Sequence, residues 1–150
     1  MPSTRRRIGA GRPERVFVDS GAWIALFSAR DGHHREADRL FNRAAAQRIP
    51  LVTTSLVIAE VHRFQLFHVG IRAAARSLAV IDTSRLVTIE FAGTAHHVRA
   101  LAWLARLSDQ RLSYTDAVSF AVMEAAHCRV ALSFDEDFSV AGFRLWHHDG

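Results

Sequence analysis

Apolar positions in this chain fall into two textures. Short strand-like runs stand at Val16-Phe17-Val18, at Leu51-Val52 leading into Thr53-Thr54, near 86 to 90 and near 129 to 134. Runs of that length are the size of strands buried on both faces. Between them lie longer segments, near 20 to 28, 34 to 47, 55 to 69, 71 to 81, 94 to 108 and 114 to 127, where apolar residues favour helical spacing. That spacing predicts helices with one face turned to a core. A last short strand is expected at Phe143-Arg144-Leu145-Trp146. Strands separated by helices predict an α/β sandwich on a mostly parallel sheet. The 150 residues, 49% hydrophobic, suffice for one core and are short for two. No run is long enough to span a membrane, and no internal repeat is visible.

Four carboxylates interrupt this pattern at positions where a solvated surface acid is not expected. Asp19 follows the first strand run and precedes Ser20-Gly21 and the apolar stretch Ala22-Trp23-Ile24-Ala25-Leu26-Phe27, which places it at a strand's carboxyl end. Asp135 ends the run Val130-Ala131-Leu132-Ser133-Phe134 in the same way, before Glu136-Asp137-Phe138. Asp116 comes three residues after Ser113, a spacing resembling a capping box at a helix start. Glu60 stands four after Leu56, three after Val57 and four before Phe64, on what reads as an apolar stripe. A carboxylate there is expected to be buried with a partner or to coordinate a ligand, because an unpaired buried charge neutralises instead. Ligand sites in open parallel sheets form outside the carboxyl ends of the strands, and all four acids meet at such an edge. Each has a plainer reading: Asp19 as a helix cap, Asp116 as a charge favoured in a first helical turn, Asp135 to Asp137 as a solvated turn. Four in order are harder to dismiss than any one.

Charge is informative once divided. All 19 basic residues are Arg, and five of them stand in the first 15 residues against the single acid Glu14. Fourteen Arg balance fourteen acids from 16 to 150, so the net charge of +4 belongs to the first segment. Residues 1–15 are accordingly expected to form a flexible Arg-rich tail, with 16–150 as a single domain. An Arg-rich arm could also hold nucleic acid phosphates. The absence of Lys excludes P-loop and Schiff-base chemistry, and with it phosphatases and receiver domains that need a Lys beside their Asp. A lone Cys128 excludes an intrachain disulfide, and no apolar signal segment opens the chain, so a cytoplasmic address is expected. Three adjacent His pairs, 33–34, 96–97 and 147–148, lack metal-chelating spacing and read as surface or boundary residues.

Hard oxygen ligands without an obvious nucleophile select Mg²⁺ or Mn²⁺ over zinc. Two such ions, about 3.5 to 4 Å apart, suit phosphodiester cleavage. Ser20, Thr115 and Ser133 adjoin the acids in sequence and are placed to orient a ligand or a water.

Taken together, Val16-Phe17-Val18-Asp19-Ser20-Gly21-Ala22-Trp23, Thr54-Ser55-Leu56-Val57-Ile58-Ala59-Glu60-Val61, Leu112-Ser113-Tyr114-Thr115-Asp116-Ala117 and Ser133-Phe134-Asp135-Glu136-Asp137-Phe138 resemble, in order and spacing, a PIN-domain protein. More narrowly they resemble the VapC toxins of type II toxin–antitoxin pairs, across residues 16 to about 146. The resemblance implies a three-layer α/β/α PIN-like sandwich and a Mg²⁺- or Mn²⁺-dependent endoribonuclease. It maps Asp19, Glu60, Asp116 and Asp135 onto the family's acidic quartet, with Asp137 as a further acid near the metal. Ser133 stands where many relatives carry Thr. RNA substrate, a cognate antitoxin and a homodimer are implied as partners, with the apolar stretch Leu66 to Leu78 helping to receive the antitoxin. The Arg-rich extension departs from the family pattern. Two other readings remain open at this point: a PIN nuclease of RNA processing without a toxin role, and a non-catalytic PIN-like module that binds RNA or protein.

Overall fold

A computed structural model describes residues 14–146. The expected tail, apart from Glu14 and Arg15, and the pair His147-His148 lie outside these residues. Twelve elements follow in the order β1 (Val16–Val18), α1 (Ser20–Phe27), α2 (His34–Gln47), β2 (Leu51–Thr54), α3 (Ser55–His68), α4 (Ile71–Thr83), β3 (Val87–Glu90), α5 (Thr94–Arg106), α6 (Tyr114–Ala125), β4 (Val130–Leu132), α7 (Asp137–Val140) and β5 (Arg144–Leu145). The alternation read from the sequence is therefore present, with one addition. The four-residue α7 was not anticipated, because a helix that short, opening in acids, leaves no periodic signature.

The five strands form one sheet in the order β3-β2-β1-β4-β5, every pair parallel. Parallel strands buried on both faces need unbroken apolar runs, and β1 and β4 are fully buried along their length. The chain leaves β1 towards β2 and β3 on one side, then crosses to place β4 on the other. Strands β1 and β4 thus flank the point where the direction of winding reverses, the place where such sheets hold ligands beyond their carboxyl ends.

Helices pack in neighbouring pairs, α3 on α4, α5 on α6, and α1 on both α2 and α3. Gly70, at φ +142°, provides the backbone conformation that reverses the chain between α3 and α4. Beneath the reversal point the core is aromatic. Phe120 of α6 meets Phe138 of α7 edge to face at 5.0 Å and Trp103 of α5 at 5.3 Å, while Phe17 of β1 lies 6.0 Å from Phe138. Trp103 is buried, and Phe41 packs on Trp23 with ring centroids 4.8 Å apart. Near the start of the described residues, Arg144 pairs with Glu14 at 2.8 Å, and the Cys128 thiol donates to the Arg15 carbonyl.

The apolar stretch from Leu66 to Leu78 divides between core and surface. Ala74 and Ser77 are buried, whereas Phe67, Val69 and Ile71 are 69%, 60% and 78% exposed. No helix among the described residues is long and apolar enough to cross a membrane.

Candidate functional site

Asp19 is the N-cap of α1 by backbone position, but its side chain does not cap the helix. Its backbone N–H donates to the Leu132 carbonyl at 3.1 Å, extending the β1–β4 ladder by one residue. The neighbouring ladder ends differently. Thr53 turns its hydroxyl to donate to the Val18 carbonyl at 3.0 Å and receives the Trp23 indole N–H at 3.4 Å. The last strand residue before Asp19 is thereby fixed from both sides. Sequence reading missed Thr53, whose only signal was a second threonine at a strand end.

Ser133 ties the two strand ends together. Its hydroxyl donates to Asp19 Oδ2 at 3.1 Å and accepts the Asp135 backbone N–H at 3.1 Å, while fully buried. Asp135 Oδ1 in turn accepts the Asp137 N–H at 2.9 Å. On α6, Ser113 caps the helix by accepting the Asp116 N–H at 3.1 Å, as the spacing predicted. Thr54 caps α3 in the same manner through the Val57 N–H.

These devices bring one carboxylate oxygen each from Asp19, Asp116 and Asp135 within 4.8 Å of one another. Glu60 and Asp137 are not in that group. The buried stripe of α3 is Val57, Val61 and Gln65, and Glu60 lies outside it, exposed. The expectation of a solvent-free Glu60 is corrected accordingly. Helix α3 is apolar on most of its circumference, and Leu56 and Phe64 beside Glu60 are themselves only half-buried, so sequence spacing pointed at the wrong face. Glu60 instead stands on the rim, within reach of Thr115 and of the Asp116 charge.

Electrostatics mark the cluster. Burial, followed by the Asp116 charge, pushes the Asp19 carboxyl up to about 7. Burial also raises Asp116, with Asp135 adding repulsion, while partial desolvation at the rim, with neighbouring acids adding repulsion, raises Glu60 and Asp137. Among the described residues Asp19 Oδ1 is buried and accepts no hydrogen bond. A buried acceptor with nothing to accept from, aimed among like charges, is costly unless a cation completes it. The donor set is all hard oxygen and fits Mg²⁺ or Mn²⁺ in kind. His33, His34, His96 and His97 take no part, each being held by backbone or ring contacts instead.

A consequence for stability follows from the sign of the shift. A carboxyl raised in the folded state stabilises fully below its unfolded value near 3.8, and that contribution is lost as pH rises through about 7. Without metal, the melting temperature should therefore fall between about pH 4 and 7, and Asp19→Asn should flatten part of the fall. Millimolar Mg²⁺ or Mn²⁺ should raise the melting temperature more at pH 8 than at pH 5, where protons compete for the same oxygens. Thermal melts across pH, with metal and with chelator, check both expectations; a metal response that is flat at every pH contradicts an assembled cation site.

Comparison with known proteins bears on this geometry. The family model for the PIN domain matches residues 16–144. The 23S rRNA-specific endonuclease VapC20 of Mycobacterium tuberculosis, in strains CDC 1551 and H37Rv, is 38% identical over 129 residues, covering 85% of this chain and 95% of the relative. A crystal structure of VapC20 from the same organism, described as a sarcin-ricin loop cleaving toxin, superposes with a TM-score of 0.78 at 35% identity, again over 85% of this chain and 95% of the other.

Proposed function

We propose, as this chain belongs to the PIN-domain family, that it is a metal-dependent endoribonuclease that cleaves RNA phosphodiesters at the carboxylates around Asp19 and acts as the toxin of a toxin–antitoxin pair. The observation that carries this reading is the convergence of Asp19, Asp116 and Asp135 at the winding reversal of the sheet, with a buried Asp19 oxygen left open. A non-catalytic module would have no use for so costly a cluster.

Asp19, Asp116 and Asp135 are the ligands we assign to Mg²⁺ or Mn²⁺. An ion bound there supplies positive charge to the phosphate and makes water nucleophilic at neutral pH. The chain's own part is to hold the carboxylates in register: Ser133 joins Asp19 to Asp135, Ser113 fixes the start of α6 under Asp116, and the Asp137 N–H orients Asp135. Glu60 acts from the rim. Its raised pKa and the adjacent Thr115 hydroxyl suit it to exchange a proton with water or with the leaving oxygen as well as to add a ligand. Asp137 adds negative charge beside Asp135 and Asp116, and Ser20 opens α1 directly after Asp19.

Beside Glu60 a groove runs along α3, lined by Ile24, Arg63, Phe64, Phe67 and His68. With the exposed Phe67, Val69 and Ile71 it forms the surface we assign to protein partners, a cognate antitoxin and a second copy of the chain. The family match over residues 16–144 supports reading the part of the chain from residue 16 onward as a single catalytic unit. A cytoplasmic address, where RNA and antitoxin are met, completes the reading.

Ribosomal RNA of the large subunit is the substrate favoured by the likeness to VapC20. Incubation of purified protein with ribosomes and with unrelated structured RNAs, followed by mapping of new 5′ ends, tests this. A single metal-dependent cut confined to 23S rRNA is expected. Equal cutting of all RNAs would remove the ribosomal assignment, and intact RNA throughout would count against the nuclease.

A further inference from the structure

A second feature beside the acids bears on how RNA is held, and it rests on the RNA-cutting function proposed above. His33 and Phe134 stack face to face, ring centroids 4.2 Å apart and planes 5° from parallel. Phe134 stands between Ser133 and Asp135, so the stack begins one residue from the carboxylate cluster. The His33 side is held independently of it. The His33 backbone N–H donates to Asp31 Oδ1 at 2.8 Å, the Asp31 N–H donates to the Ser28 carbonyl at 3.1 Å, and His34 Nδ1–H donates to the Ala25 carbonyl at 2.7 Å. His33 is exposed and Phe134 half-buried.

A cavity of about 270 Å³, lined by His33, Glu36, Phe134 and Glu136, opens alongside the pair. Sites for drug-sized ligands occupy about 300 to 1,000 Å³, so this one suits a single planar ring system. Its chemistry is selective as well. Of the two carboxylates on the wall, Glu36 is held by the Arg39 guanidinium at 2.7 and 3.1 Å, while Glu136 is placed to accept hydrogen bonds from the amino and imino N–H groups of a base. Aromatic side chains next to an RNA-cutting centre stack on bases that are not paired, whatever the sequence.

We propose that the His33–Phe134 stack is a nucleobase platform, holding one unpaired base of the RNA beside the phosphodiester to be cut. The backbone then passes on the side of Asp19 and Asp116, and the base turns into the cavity between α2 and α7. Such a platform explains why an imidazole is kept exposed on a loop already fixed by backbone hydrogen bonds.

The test uses the full chain silenced by Asp116→Asn, in Mg²⁺, and compares binding of a mixed-sequence unpaired RNA oligonucleotide with binding of a fully paired RNA duplex. Adding His33→Ala should weaken the unpaired RNA roughly tenfold, the size of one lost base stack, and leave the duplex unchanged. Adding His33→Tyr instead should restore binding. Unchanged affinity in His33→Ala overturns the platform, as does an equal loss on both RNAs, which would assign His33 a contact to phosphate. If His33→Ala does not fold, His33→Leu is read in its place, and full-strength binding by that variant overturns the platform equally. In the uninhibited protein, cleavage by His33→Ala at unchanged KM contradicts the platform alone. A chain that holds the oligonucleotide through His33 yet cuts no RNA contradicts the nuclease and supports the platform.

Discussion

Asp19→Asn is expected to abolish metal-dependent RNA cleavage while leaving the fold as stable as the wild type, or more so, in the absence of metal at pH 8. The two effects have one cause. Asp19 is 5% exposed, its Oδ1 accepts no hydrogen bond among the described residues, and burial holds its carboxyl up to about 7. At pH 8 the metal-free protein therefore carries a buried charge beside Asp116, which a neutral amide of the same shape relieves. The amide keeps an oxygen for the Ser133 hydroxyl but loses the charge that binds a divalent cation. Substituting groups that merely support a metal ligand commonly costs 10- to 100-fold in affinity or activity. Loss of a ligand itself should exceed that, so a fall of roughly a thousandfold or more is expected, with a much smaller fall for Glu60→Gln on the rim. Parallel kinetics and chelated thermal melts read both. A stable Asp19→Asn protein with wild-type cleavage would remove Asp19 from the site.

The largest effect on stability is expected from Phe120→Ala. Phe120 is fully buried on α6, one turn beyond Asp116, and its ring contacts Trp103, Phe138 and Phe143 from three other segments. Removing a buried phenyl ring costs about 3 to 5 kcal/mol through lost transfer energy and the cavity left behind. For a chain of this length, each kcal/mol moves the melting temperature by about 2 to 4 °C, so a fall of roughly 6 to 20 °C is expected. Because Phe138 rests edge-on against the same ring, α7 and the Asp135 to Asp137 turn should loosen with it. Calorimetry of the variant measures the first effect, and Mg²⁺-induced stabilisation measures the second. A drop of less than 1 kcal/mol would show that this cluster does not set the core.

How much of this was legible in the chain depends on how local each cause is. The end of β1, and with it Asp19, follows from an apolar run that stops at an acid, whereas β4 stops at Leu132 and Asp135 lies three residues beyond it, past Ser133 and Phe134. Ser113 and Asp116 were readable because a helix cap is a contact between residues three apart. Glu60 was misplaced in depth, since α3 is apolar nearly all round and only packing on α1 and α4 decides which face is buried. Ser133 was named as a neighbour of the acids, but its role in joining two strands through one hydroxyl depends on the parallel pairing of β1 with β4. The Thr53 hydroxyl under Val18 and the His33–Phe134 stack join residues distant in sequence, and no periodicity or spacing announces them.

The measurement that bears most directly on the carboxylate cluster as a metal-dependent ribonuclease centre is cleavage of RNA by the purified wild type and Asp116→Asn, side by side, in Mg²⁺, in Mn²⁺ and in chelator. Cutting by the wild type with either metal, lost in chelator and lost in Asp116→Asn with its melting transition intact, is the expected result. Cutting that survives the chelator, or that Asp116→Asn retains in full, would contradict it.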